Sequence, residues 1–162
     1  MNCLECGTPL RAERRNYRDK ECGLPGVTLL GIQVRHCPKC GEEEVVIPHV
    51  QDLHKMLAQA VVRKPGRLNA AEVSFLRKYL GWSGVDFAKR IGVTAETVSR
   101  WENSREAIGP QADRLLRLMV AFLAPVESYR VEELDAVESR RTSILNLRLR
   151  AGKDGWCFAA AG

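Results

Sequence analysis

The stretch Phe87-Ala88-Lys89-Arg90-Ile91-Gly92-Val93-Thr94-Ala95-Glu96-Thr97-Val98-Ser99-Arg100-Trp101-Glu102 decides how this chain is read. Three of its residues have separate jobs. A small side chain at Ala88 lets two helices cross closely, Gly92 can take the left-handed conformation of a tight turn, and Val98 plugs the angle between the helices. That spacing is more specific than helical periodicity alone, and it predicts a helix-turn-helix whose second helix is capped by Thr94.

With about 100° per residue and Val98 at the centre of the buried face, Ala95 and Trp101 fall on the inner side of that second helix. Glu96, Arg100 and Asn103 then look outward, with Thr97 and Ser99 beside them. Short polar groups around one long cation suit a helix in the major groove of DNA. Arg100 is placed to read a base, whereas Lys89 and Arg105 are better placed to meet phosphates. Together with Thr94, these residues form the expected DNA-binding set. Any amphipathic helix has a polar outer face, so it is the Ala-Gly-Val spacing that makes DNA recognition the favoured reading.

Working outward, Asn69 and Glu72 have the spacing of a capping box, followed by an inward stripe of Val73, Leu76 and Leu80 that Gly81 terminates. Ser83 to Asp86 opens the next helix, whose buried face is Phe87, Ala88 and Ile91. Gly109-Pro110 starts a further helix. Its Leu115, Leu118, Met119 and Phe122 are expected to close the domain core, with Leu116 and Leu123 as surplus that leaves room for a dimer contact.

Toward the N-terminus, Cys3-Leu-Glu-Cys6-Gly7 and Cys37-Pro-Lys-Cys40-Gly41 share the form C-x-x-C-G. In each, two residues span a turn that can bring both sulfurs onto one ion. The following Gly lets the backbone curl and is expected to aim its amide at thiolate. Four thiolates suit tetrahedral Zn(II) with no open position, so the expected cofactor is one structural zinc per chain, held by Cys3, Cys6, Cys37 and Cys40. Four thiolates can also hold iron, and a redox pair or disulfides are the other readings. No βαβ context surrounds either pair, which favours zinc. Cys22 and His36 are expected outside the ligand set, and Cys157 stands alone.

Between the pairs, Leu30, Ile32 and Val34 alternate as a strand of a short antiparallel sheet, fed by a type II turn at Leu24-Pro25-Gly26 in which Gly26 takes the positive φ. His49 to Val62 reads as a connecting helix, and Lys64-Pro65-Gly66 as a linker. After Pro125 the pattern changes to a helix from Val131 to Arg141. Strand-like Thr142 to Arg150 and Trp156 to Ala159 then flank a turn at Lys153-Asp154-Gly155. The expected class is α+β, with a small N-terminal zinc-binding β domain (1–66) and an all-α helix-turn-helix domain (67–125). A C-terminal extension (126–162) carries a helix and a β-hairpin tail and has no assigned role.

Small domains bury too little surface to be stable without a staple, and the paired cysteines supply the candidate. The net charge of +5 is only mildly basic, and it divides as +2 in residues 1–64, +3 in 65–125 and 0 thereafter. No apolar run is long enough to span a bilayer and no signal segment opens the chain, so no membrane association and a cytoplasmic location are expected. A reducing compartment also disfavours structural disulfides. The three histidines form no H-E-x-x-H, and neither a P-loop nor a G-x-S-x-G is present, so enzyme activity is not expected.

The order of the two C-x-x-C-G pairs followed by Val98-Ser99-Arg100-Trp101-Glu102 resembles the MqsA family of antitoxins, also described as YgiT-type zinc-finger regulators, over residues 1–124. The resemblance implies a zinc domain that binds or accompanies a toxin, joined to an Xre-type domain that dimerises and represses its own operon. Carried over by position, the four paired cysteines match the zinc ligands and Arg100 matches an arginine that reads bases. Glu96 and Gly84 depart from the pattern, where an amide side chain and a glutamine are usual, so the operator sequence does not transfer. The expected partners are therefore operator DNA, a second copy of the chain and a toxin bound by the N-terminal domain. A solitary regulator without a toxin is the competing reading, and an enzyme using the cysteines is the remote one.

Overall fold

The computed structural model describes residues 1–123, 129–134, 137 and 142–159. Strands β1 (Arg11–Arg18), β2 (Val27–His36) and β3 (Glu43–Val46) are followed by helices α1 (Val50–Arg63), α2 (Ala70–Tyr79), α3 (Gly84–Ile91), α4 (Ala95–Glu102) and α5 (Pro110–Leu123). A 3-10 turn at Val131–Leu134 and strands β4 (Leu147–Gly152) and β5 (Gly155–Phe158) complete the order. The class is α+β, as the hydrophobic patterning implies.

β2 is the centre of the sheet. It pairs antiparallel with β1 on one side; on the other it pairs antiparallel with β3 at Gln33–His36 and parallel with β4 at Val27–Leu30. The expected strand residues Leu30, Ile32 and Val34 are all buried, but they do not share one face. Gly31 has φ +62, and the register with β1 slips between Arg15 and Tyr17, so one residue is bulged out of β2. The slip rephases the strand, and Val27, Leu29, Ile32 and Val34 share one buried face with Leu147 and Leu149 of β4. Leu30 falls on the opposite face. The Asn16 side chain accepts the Gly31 N–H at 3.1 Å, which replaces the ladder bond that the bulge removes.

The turn before β2 is present at Pro25-Gly26, but Gly26 does not carry the positive φ; Gly23 does, at +81. β4 starts at Leu147 rather than Thr142, and β4 and β5 form the expected hairpin. Parallel pairing with β2 makes this hairpin part of the sheet rather than a separate extension. Trp156 is buried and donates to the Pro48 carbonyl at 2.9 Å, closing the same unit. Of the helix expected over Val131 to Arg141, the 3-10 turn covers the start, while 135–136 and 138–141 lie outside the described residues.

The chain divides into two compact units, and neither follows the expected boundaries. Met1–Asp19 and Gly26–Leu53 group with β4 and β5; Lys20–Pro25 groups with the helices from His54 onward. The cause at 64–66 is chemical. The helix does break at Lys64, but the Arg117 guanidinium, fully buried, donates to the carbonyls of Val62 at 2.9 Å, Lys64 at 2.5 Å and Gly66 at 2.7 Å, and to Asp113 at 2.6 Å. Lys64 is itself buried, with Nζ 3.0 and 2.7 Å from the Glu72 oxygens. A segment with three carbonyls and a buried ammonium engaged belongs to the helical core and is not a free linker.

In the helical unit the apolar core includes Leu57, Val61, Leu68, Val73, Leu76, Phe87, Val98, Trp101, Ile108, Leu116 and Val120. On α5 the expected core stripe is inverted. Asp113, Leu116, Arg117 and Val120 face inward, while Leu115, Leu118, Phe122 and Leu123 are exposed, Phe122 by 83%. The buried ion pair takes the positions that apolar residues were expected to fill.

Candidate DNA-reading face and metal centre

Each C-x-x-C-G closes in the same way. The N–H of Gly7 bonds to the Cys3 carbonyl at 2.9 Å and that of Gly41 to the Cys37 carbonyl at 3.0 Å, with φ of +69 and +77. The glycines are thus required for the left-handed turn, but their amides serve the first cysteine's carbonyl and not a thiolate. Amides aimed at sulfur include those of Cys40 and Lys39, which stabilise the Cys37 thiolate.

These two knuckles bring the sulfurs together. Cys3 and Cys40 lie 3.5 Å apart, Cys6 and Cys37 3.4 Å, Cys6 and Cys40 3.7 Å, and all four within 4.8 Å. A regular tetrahedron of sulfurs about 2.3 Å from an ion has edges of about 3.8 Å. The four cysteines therefore have the geometry of a structural metal site. Cys22 and His36 are outside the cluster.

The electrostatics of the thiols point the same way. Cys37 is held down to about 6, first by the Cys40 backbone amide. Cys40 is pushed up to about 12: the Glu42 amide lowers it, but the neighbouring sulfurs of Cys37 and Cys3 outweigh that. One thiolate forms readily and the last resists, because negative charges this close need a cation among them.

The helix-turn-helix is built from local signals that the structure bears out. Asn69 and Glu72 form a full capping box, as do Ser83 and Asp86, and Thr94 accepts the Thr97 N–H at 3.2 Å. Asp86 is held below the ordinary carboxylate range, first by hydrogen bonds from Ser83. Gly92 adopts φ +72 and bonds its N–H to the Ala88 carbonyl, while Ala88 and Val98 are buried. Ala95, expected inward, is exposed: it begins α4, and its Cβ leans toward the open N-terminal end.

Residues 75–122 match the helix-turn-helix family model. This chain carries a DNA-binding helix-turn-helix domain. Neither the comparison with curated proteins nor that with solved structures gave a match. The domain supports a transcription regulator as the functional class. Among the described residues no helix is long and apolar enough to cross a membrane.

The outer face of α4 carries Glu96, Ser99 and Arg100, all exposed, with Thr97 half-buried and Asn103 exposed just past the helix end. They are not idle. Glu96 accepts from Arg100 at 2.6 Å, Asn103 donates to the Ser99 carbonyl at 2.8 Å, and the Thr94 and Thr97 hydroxyls lie 2.9 Å apart. Lys89 and Arg105 are exposed. Sequence reasoning missed the clamp on α4: Arg77 of α2 binds Glu102 at 2.5 and 3.0 Å and the Trp82 carbonyl at 2.6 Å. It also missed Arg90, whose guanidinium sits 4.4 Å over the Trp82 ring. A contact between α2 and α4, or from the loop residue Trp82 onto α3, leaves no local periodic signal, so neither was legible.

Proposed function

We propose that this chain is a zinc-stabilised repressor that reads operator DNA with α4, and that it serves as the autorepressing antitoxin of a toxin pair. The observation that carries the DNA-reading part is the exposure of Arg100 on the side of α4 opposite buried Val98, beyond a turn built on Gly92. Arg100 would donate two hydrogen bonds to a guanine, and Glu96 can accept from a cytosine amine. Thr94, Thr97, Ser99 and Asn103 line the same approach, and Lys89 and Arg105 would hold phosphates.

Arg100 must leave Glu96 to reach a base. An exposed pair four residues apart on a helix is worth about 0.3–0.5 kcal/mol, whereas a bidentate contact to guanine discriminates by about 1–3 kcal/mol. The exchange is favourable.

Zinc in the Cys3, Cys6, Cys37 and Cys40 tetrad is supported by sulfur spacing close to the tetrahedral edge for that ion. A two-fold dimer is supported by the apolar strip Leu115, Leu118, Phe122 and Leu123 left exposed on α5. The toxin partner rests on the resemblance in motif order to MqsA-type antitoxins.

Selection of bound duplexes from a random pool tests the DNA reading: a symmetric site with half-sites about 10 base pairs apart, or a multiple, is expected, and no enrichment would overturn it. Co-expression with each neighbouring gene product tests the antitoxin. Toxicity relieved by the full chain supports that reading, and its absence leaves the solitary regulator.

A further inference from the structure

We propose that the side of the sheet carrying Leu30 and Gln33 holds a second binding site, for a small organic anion with a short apolar body and a carboxylate, phosphate or sulfonate group. The inference goes beyond DNA reading and does not depend on it. It starts from the bulge at Gly31. Beyond the bulge Gln33 shares a face with Leu30 and Thr28, and that face is where Arg148 and Arg150 arrive when β4 pairs opposite Thr28 and Leu30. On the other side of β2, Arg14 stands opposite Gln33, and on β3 Val46 does the same.

Together these strands enclose a groove of about 600 Å³, with Leu30, Val46 and Pro48 among its apolar lining and Arg14, Arg148 and Arg150 as its cations. The size is that of small-molecule sites. No acidic residue lines it. Charge balance separates these arginines from their neighbours. On the same sheet Arg15 pairs with Glu13 and Glu43, and Arg35 pairs with Glu44. The guanidinium groups of Arg14, Arg148 and Arg150 have no such partner among the described residues.

Three uncompensated cations around an apolar concavity call for an occupant with both characters. A duplex backbone would use the cations but leave the apolar lining without a counterpart. A compact anion with an apolar body uses both, and its binding beside β4 makes the groove a place where a metabolite could act on the regulator.

Two fluorescent probes test the proposal on the full-length protein: anilinonaphthalene sulfonate, which has ring body and anion, and phenylnaphthylamine, which has a similar body and no charge. The sulfonate should saturate at a site that Arg148→Gln/Arg150→Gln weakens about tenfold or more, while the neutral probe binds both proteins alike. Gln33→Glu, a near-isosteric change that sets a carboxylate beside Arg14, should weaken the sulfonate as well and decides the matter if the double variant does not fold. Unchanged sulfonate affinity in the folded variants would overturn the proposal. So would loss of affinity for random-sequence duplex DNA with sulfonate binding intact, which would give the groove to nucleic acid.

Discussion

In the sheet unit, the groups that close the structure are four sulfurs 3.4 to 4.8 Å apart; in the helical unit, they are three N-caps, an apolar core and two buried ion pairs. The first set is repulsive until a cation sits among its thiolates, whereas the second is complete within the chain. Small domains need a staple; the helical unit makes its own from Arg117–Asp113 and Lys64–Glu72, and the sheet unit offers four thiols with the geometry of a metal site. The difference also sorts the two units by what perturbs them: metal and thiol chemistry for one, side-chain deletion and pH for the other.

The largest expected effect is on the metal side of that contrast. Chelation, or Cys37→Ser, should abolish hydrogen-exchange protection in β1, β2 and β3 while α2 to α5 stay protected, because metal binding and folding are one event in such knuckles. Equal loss in both units, or in neither, would break the comparison.

Next in size is the internal staple. Arg117→Met leaves Asp113 buried without its partner and three carbonyls without a donor, which should cost about 3–5 kcal/mol in urea unfolding of the helical unit. Metal content should be unchanged. A cost near zero would mean that the apolar core alone holds 62–66 in place.

A pH effect sharpens the same point. Burial raises Glu72 above its ordinary 4.5, and Lys64 offsets this only in part. An acid with a raised folded value contributes stability that is fully present below the unfolded value and is lost as pH rises through the folded one. Lys64→Met/Glu72→Gln keeps an oxygen for the cap and removes both charges. It should flatten stability across that window, at no large net cost, since neutral replacement of a buried pair is often tolerated. An unchanged pH profile in urea melts would show that the pair is not the titrating element.

The smallest effect concerns a cap. Ser83→Ala should cost about 1 kcal/mol. Asp86, depressed by Ser83, contributes stability present above its ordinary 3.8 and lost as pH falls through the folded value. The acid-side loss should therefore shrink in Ser83→Ala, and thermal melts at several acidic pH values measure it.

What was legible in the sequence follows the range of each signal. Caps and turns act over three or four residues, so Asn69, Ser83, Thr94 and Gly92 could be placed from the letters. The thiol tetrad spans 37 positions between Cys3 and Cys40, yet its repeated C-x-x-C-G made it readable. Patterns that depend on a single inserted residue or on distant pairing were not. The Gly31 bulge reversed the phase of β2, and the parallel joining of β4 turned a tail without a role into part of the sheet. On α5, periodicity showed an apolar stripe but could not say which side the Asp113–Arg117 pair would claim.

The central claim is that α4 reads bases through Arg100, and binding of Arg100→Ala to a selected site and to a scrambled duplex across a salt series tests it most directly. The account predicts a loss of about 1–3 kcal/mol on the selected site with little change on the scrambled one and an unaltered salt slope, whereas Lys89→Ala or Arg105→Ala should weaken both duplexes and lower the slope by about one. Equal losses for Arg100→Ala on both duplexes, with a reduced slope, would contradict it and make Arg100 a phosphate contact.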